Sequence, residues 1–283
     1  MIAPKSQITK KVLLVTTAAL ILAGCNLKTG SECLINGNEY FKAGDYDKAE
    51  LEYREAVKLE PKSPVAYNNL GVILVERKKY DEAVEVLEKA IAQDPRNSIA
   101  HYVLANALLK LKRYPEARVN ALKAVELDSS ELAAHKSLAE ATLAEGDAQT
   151  AVKEFRYLSE REPDDDDIRH KLGLALGMLG LYDAQIGAEK KALELNPKNT
   201  EAKVGMAHAL MSQGKVSEAK AILEDVLQFE PGNEAAKSGL ESIKTGNFPV
   251  NKATESSKNG HVPKEGTEKE PSLKNGKRDG TAK

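Results

Sequence analysis

The chain has 283 residues with no Trp, four Phe and 5% aromatic residues, and it sets 41 Lys+Arg against 43 Asp+Glu for a formal net charge of −2. That balance leaves no basic face of the kind a nucleic-acid binder uses to displace counterions from phosphates, and its two cysteines form neither a disulfide scaffold nor, alone, a four-ligand zinc site. What remains relies on Ala, Leu and Val, which suits closely packed helices.

Residues 1–25 read MIAPKSQITKKVLLVTTAALILAGC. Lys5, Lys10 and Lys11 form a positive start, followed by the uncharged and largely apolar run from Val12 to Ala23. Such a run covers about 18 Å as a helix, short of a ~30 Å hydrocarbon core, so residues 1–24 read as a secretory signal rather than a span. It ends Leu22-Ala23-Gly24-Cys25, which resembles the lipobox of bacterial lipoproteins. The resemblance implies cleavage before Cys25, diacylglycerol on its thiol, acylation of its new amino group, and residues 25–29 as a short lipidated linker. Asn26, where inner-membrane retention is associated with Asp, favours a lipid-anchored protein of the bacterial outer membrane that faces the periplasm. With Cys25 carrying lipid, Cys33 is expected as a small buried apolar residue.

A 34-residue grid follows, marked by Pro61, Pro95, Pro163, Pro197 and Pro231, with Ser129 in the remaining slot. It divides the chain into units 30–63, 64–97, 98–131, 132–165, 166–199 and 200–233. Position 8 is always small, as Gly37, Gly71, Ala105, Ala139, Gly173 or Ala207, and position 20 is Ala in every unit but the fifth, which has Gln185. Positions 4, 7, 8 and 11 make one helical stripe, and 20, 24 and 27 make a second. Gly44, Gly146, Gly180 and Gly214 at position 15 would end the first helix with a left-handed residue. One helix pair cannot bury both faces, so neighbouring units must complete the core. Residues 234–244 continue the pattern with Leu240 but place Glu241 at position 8, as a polar-backed capping helix would.

The small residues at 8, 20 and 27 with Pro at 32 resemble the tetratricopeptide repeat (TPR) signature over about 204 residues. The resemblance implies an all-α, right-handed solenoid of six helix-turn-helix repeats, 30–244 with its cap. In the fifth unit Gln185 and Glu189 hold positions 20 and 24, while Ala184 and Ala188 stand one residue earlier. Either that helix turns by about 100° to bury its alanines, or the unit, rich in glycine, is a local soft point. From Thr245 the text is poor in apolar residues and carries eight basic against five acidic side chains, so residues 245–283 are expected to form a disordered tail.

No catalytic motif is present, and Gly173 to Gly177 follows no strand, so a dinucleotide reading fails. Asp164 to Asp167 evokes calcium, but no glycine turn or distal glutamate completes a site, and its place before a helix favours a cap. A non-enzymatic protein without cofactor or metal is the expectation. His101 and His135, at position 4, are expected to be buried or half-buried.

In the TPR family positions 2, 5, 6, 9, 12 and 13 of the first helix look into a concave, peptide-binding groove. Carried over, these give Asn38, Asn69, Tyr102, Asn106, Lys136, Glu140, His170 and His208, with Lys42, Asn68, Lys110 and Lys171 beside them, as candidate contacts to a protein or peptide partner. Some members hold a free C-terminal carboxylate with Lys at 5 and Asn at 9, then Asn at 6, then Lys at 2 and Arg at 6 of consecutive repeats. Asn38 and Asn69 match, whereas the cation positions hold Leu34, Ile99 and Val103. An internal or apolar peptide segment is therefore expected, with those three residues adding contact area. The pairing of lipobox and array resembles scaffold lipoproteins of pilus assembly and cell-envelope adaptors. A competing reading makes the basic tail a wall-binding element and the solenoid a spacer.

Overall fold

The computed structural model describes residues 28–248, so the expected signal, Cys25 and most of the tail lie outside the described residues. Within them the first two units hold α1 (Gly30–Lys42), α2 (Tyr46–Leu59), α3 (Pro64–Glu76) and α4 (Tyr80–Gln93). The third and fourth hold α5 (Ser98–Lys110), α6 (Tyr114–Leu127), α7 (Leu132–Glu145) and α8 (Ala148–Arg161). The last two hold α9 (Asp166–Met178), α10 (Tyr182–Leu195), α11 (Thr200–Ser212) and α12 (Val216–Phe229), and α13 (Glu234–Thr245) closes the stack. Every described element is a helix. First helices start at position 1 of the grid and second helices at position 17, six times over.

Each helix packs on the next, and first helices of adjacent repeats also meet, as α1 with α3, α3 with α5 and α9 with α11. Second helices stand farther apart. The solenoid therefore curves with its first helices on the inside, which is what makes their outward faces a groove.

Local chemistry fixes where the helices begin. Thr29, Ser63, Asn97, Glu131, Asp165, Asn199 and Asn233 each accept a backbone N–H of the helix that follows. Each such cap is worth about 1 kcal/mol. Asp165 thus caps α9, Asp166 accepts the amides of Asn196 and Asn199, and Asp167 pairs with Lys171. Three of the four aspartates are thus engaged in structure, and Asp164 is exposed.

The core is stitched by position 24. Tyr53, Leu87, Ala121, Phe155, Glu189 and Leu223 stand there, and all are buried. Each wedges towards position 8 of its own repeat, where a Cβ on Gly37 would come within 2.5 Å of Tyr53 and one on Gly71 within 2.4 Å of Leu87. Cys33 is buried as well, and burial pushes its thiol pKa up.

Repeat five obeys the same rule with polar groups. Helix α10 keeps its register: Gln185 and Glu189 are 5% and 0% exposed, and of the two alanines Ala184 is exposed while Ala188 is buried beside Glu189. Glycines make the room. A Cβ on Gly177 would lie 2.3 Å from Gln185, and Cβ atoms on Gly173 and Gly205 would lie 2.6 and 2.4 Å from Glu189. Gly173 and Gly177 are thus the volume complement of two oversized side chains, not merely sources of backbone freedom.

The C-terminal end differs from the sequence expectation. Helix α13 runs to Thr245 and Phe248 packs against the last apolar cluster, so the ordered chain extends past residue 244.

The turn inside each repeat needs a left-handed residue at position 15. Gly44, Gly146, Gly180 and Gly214 supply it, but Lys78 and Lys112 adopt φ of 60° in the same place. Lys78→Gly and Lys112→Gly should each raise stability by up to about 1 kcal/mol by relieving the Cβ clash. Urea midpoints check this, and a fall at both sites would contradict it.

Candidate peptide-binding groove

The inner face is ordered by one spacing. In repeats one, three and four, position 9 of the first helix bonds position 6 of the next, 31 residues on. Asn38 Oδ1 accepts from Asn69 Nδ2 at 3.2 Å, Asn106 Oδ1 from Ser137 Oγ at 2.7 Å, and Glu140 Oε1 from Lys171 Nζ at 2.6 Å. At the far end His208 faces Gly239, where an added Cβ would lie 3.6 Å from the ring. Four of the candidates, Asn38, Asn69, Asn106 and Glu140, are therefore first of all rungs that tie one repeat to the next.

The N-terminal rung is the most open. Asn38, Phe41, Tyr53, Asn69 and Val72 line a notch of about 140 Å³. The Tyr53 hydroxyl donates to Asn38 Oδ1 at 2.7 Å, and burial pushes its pKa up to about 12, so it stays a phenol at neutral pH. With Asn38 Oδ1 occupied by two donors, the Asn38 NH2 and the Asn69 carbonyl have no partner among the described residues. One donor and one acceptor beside an aromatic floor match the needs of an extended peptide backbone. Of the three apolar residues expected to add contact area, Ile99 is 42% exposed and Leu34 is half-buried, whereas Val103 is inside the core.

The other candidates do different work. Tyr102 is half-buried against the central cluster. Lys136 lies 3.8 Å from Asp165. Lys171 is held between Glu140 and Asp167, and these carboxylates raise its pKa although burial opposes them. His170 is not in the groove: it is 9% exposed, with Nδ1 2.9 Å from Glu189 Oε2. Its place at position 5 looked accessible in sequence, but the buried Glu189 draws it inward. His101 and His135 are buried too, each bonding a position-23 side chain, Asn120 or Glu154, and a carbonyl of the preceding loop. Tyr53, Phe41, Val72 and Ser137 escaped the sequence reading; a spacing of 31 rather than 34 finds Phe41 with Val72 and Ser137 with Asn106, whereas Tyr53 meets Asn38 inside its own repeat.

Burial raises the Glu189 pKa against the opposing pull of His170 and Gln185. A carboxyl whose folded pKa exceeds its unfolded value binds its proton more tightly when folded, so stability falls as pH rises from the ordinary carboxylate value through the folded one. Glu189→Gln should remove that decline and raise the melting temperature at pH 7. A lower melting temperature at every pH from 4 to 8 would contradict this.

Two tetratricopeptide repeat models match the chain, one at residues 36–98 and 136–200, the other at residues 74–141 and 189–243. The chain belongs to the tetratricopeptide repeat family, a class of protein-interaction scaffolds. It is 32% identical over 98 residues to small glutamine-rich tetratricopeptide repeat-containing protein 2 of Mycosarcoma maydis, covering 35% of this chain and 28% of that protein. It is 40% identical over 63 residues to stress-induced-phosphoprotein 1 of Caenorhabditis elegans, covering 22% and 20% respectively. The chain thus spans less than a third of the length of these curated relatives. Among solved structures it resembles PilF of Pseudomonas aeruginosa, with a TM-score of 0.62 at 18% identity over 75% of this chain and 97% of that one. It also resembles YrrB, described as a TPR protein with an unusual peptide-binding site, with a TM-score of 0.59 at 17% identity over 67% and 97%. At such identity the likeness shows the fold.

Proposed function

We infer that this protein is a lipid-anchored scaffold of the bacterial envelope that grips an internal, extended segment of a partner protein in the N-terminal half of its concave groove. The observation that carries the binding mode is the notch at Asn38 and Asn69, which offers an amide donor and a carbonyl acceptor over Phe41 and Tyr53. The three positions where a carboxylate clamp keeps its cations hold Leu34, Ile99 and Val103, and Val103 is buried. A free chain terminus would bring a charge with no counter-ion there, whereas a mid-chain peptide bond brings none.

The envelope location rests on the Leu22-Ala23-Gly24-Cys25 motif behind its basic and apolar segment, and Asn26 favours the outer membrane, periplasmic side. Lys28, three residues beyond Cys25, is already paired with Glu52 on α2. An anchored chain would therefore hold repeat one within about 10 Å of the lipid, with the open notch in the membrane-proximal repeats. The fold shared with PilF supports a role in pilus or secretion-system assembly.

Two measurements test this reading. Amidating the C-terminus of a bound peptide should leave its affinity within about twofold, while Asn38→Ala with Asn69→Ala should weaken it about tenfold, or 1.4 kcal/mol. A tenfold loss on amidation overturns the binding mode. Cys25→Ser should abolish palmitate labelling and membrane partition, and a wild type without label would overturn the anchor.

A further inference from the structure

The second helices form the outer layer of the stack, and their position 22 is exposed in all six repeats, position 25 in all but the first. Across three consecutive second helices these positions change character in order. Helix α4 presents Glu85 and Glu88, α6 presents Val119 and Leu122, and α8 presents Lys153 and Arg156. Val119 is 68% exposed and Leu122 44%. Single aliphatic side chains at a surface are ordinary, but these two stand one helical turn apart, with charge of opposite sign on either side. Neither flank is neutralised within the chain. Glu85, Glu88 and Arg156 make no ion pair among the described residues, and Lys153 reaches only the adjacent Glu154, with its own side chain 82% exposed. The other charges nearby are engaged or turned aside. Lys123 pairs with Glu126 on α6 itself, Arg113 with Glu116, and Arg118 with Glu145. Lys89 of α4 holds position 26, which in α8 and α12 leans towards a first helix or the loop before it, as Tyr157 bonds Ser129 O and Asp225 bonds Lys203.

Such a face is complementary to itself. A two-fold axis that lies between two copies and runs along α6 carries α4 of one copy over α8 of its partner, so that acids meet bases on both sides of an apolar centre. An axis at right angles to α6 would set α4 on α4 and α8 on α8, like charge against like, so charge selects the first arrangement. Glu160, exposed at position 29 of α8, then stands over Ala92 at position 29 of α4, and no acid opposes it. Shape agrees with charge. Two convex faces touch along a crest and part on either side, which suits short aliphatic side chains at the crest and long charged ones at the flanks.

We propose that the protein pairs with a second copy of itself through the outer faces of α4, α6 and α8, with Val119 and Leu122 at the centre and Glu85 and Glu88 of each copy against Lys153 and Arg156 of the other. An isologous contact closes on itself, so assembly stops at two. The concave faces then point away from each other, and one assembly offers two grooves. Two binding sites on one body raise the avidity for any target that repeats its segment. The pairing needs neither the lipid nor the notch at Asn38 and Asn69, so it stands or falls separately from the groove reading.

The test is symmetric cross-linking of the chain as the cell processes it. A two-fold axis along α6 brings the two copies of residue 119 together, so Val119→Cys should be joined to itself by a short bismaleimide about tenfold faster than Ala221→Cys, which occupies the same exposed position on α12. Counting by mass spectrometry only the peptides joined through residue 119 or 221 keeps Cys25 out of the result, and Cys33 is fully buried. Added to Val119→Cys, the pair Glu85→Lys with Glu88→Lys puts bases on both flanks and should slow joining about tenfold. Lys153→Glu with Arg156→Glu, which puts acids on both, should do the same. Mixing the two reversed chains should restore joining between them, because each flank again meets its opposite, and that recovery also shows that both variants are folded. Equal rates at residues 119 and 221 overturn the proposal. So does a rate that charge reversal leaves unchanged, or one that mixing fails to restore while each variant keeps its helical circular dichroism.

Discussion

The structure depends on one packing relation, the side chain at position 24 of each second helix. It enters a space left by position 8 of its own first helix and, in repeats five and six, also by position 6 of the next. Leu223 shows both ends of this, since it is fully buried and a Cβ on Gly239 of the cap would approach it to 2.8 Å. Interiors are close-packed, so the side chain at 24 is met at position 8 by glycine or alanine in every repeat. Tyr53 and Leu87 have glycines at position 8, whereas the alanine at 121 faces an alanine at 105. Repeat five carries the trade furthest, setting a glutamate and a glutamine against three glycines. The period survives there because volume is conserved even though polarity is not.

Polarity changes the energetics of that junction. Glu189 is fully buried, with one oxygen on His170 and the other without a hydrogen-bond partner among the described residues. A buried acceptor left without a partner costs about 1–3 kcal/mol, so the repeat five to six interface is held less firmly than an apolar one of equal fit. By contrast Glu50, buried on α2, is met by Arg54, Arg77 and Lys79. Burial alone would raise its pKa, but the bonds to Lys79 and Arg54 outweigh it and the net shift is downward. Two buried glutamates therefore respond oppositely to acid: the repeat one to two junction weakens as pH falls through the lowered pKa of Glu50, and the repeat five to six junction tightens.

The groove inherits these constraints. Three pairs of its polar side chains are engaged with one another across repeats, so there a ligand meets only the hydrogen-bonding capacity that the rungs leave over. At Asn38 and Asn69 the Tyr53 hydroxyl and the Asn69 amide share one oxygen, which leaves the Asn38 NH2 and the Asn69 carbonyl over. Glu140 and Lys171 neutralise each other in the middle, and at the far end Phe248 lines a cavity with α11 and α13. The two halves of the inner face are thus unequal, although the repeats that build them share one pattern.

The sequence by itself determined the helical class, the six units and the positions of the first-helix and second-helix starts, because sterics at positions 8, 20 and 27 and the breaker at 32 act within one repeat. It also foretold the buried fate of Cys33, His101 and His135 and the left-handed turns at the four glycines. The tertiary structure decided whatever depends on the neighbouring repeat. Position 24 of α10 faces Gly205 of the next unit, so Glu189 went inward where a single-repeat pattern left its direction open, and His170, expected in the groove, followed it. The 31-residue rungs belong to pairs of helices rather than to either alone, which is why Ser137 was invisible as a site residue. Phe248, in a segment of low apolar content, is ordered by a turn and a cavity made by α11 and α13 together. Contacts inside a repeat recur with its period and can be read from the text; contacts between repeats depend on curvature and complementary volume, which only the assembled stack supplies.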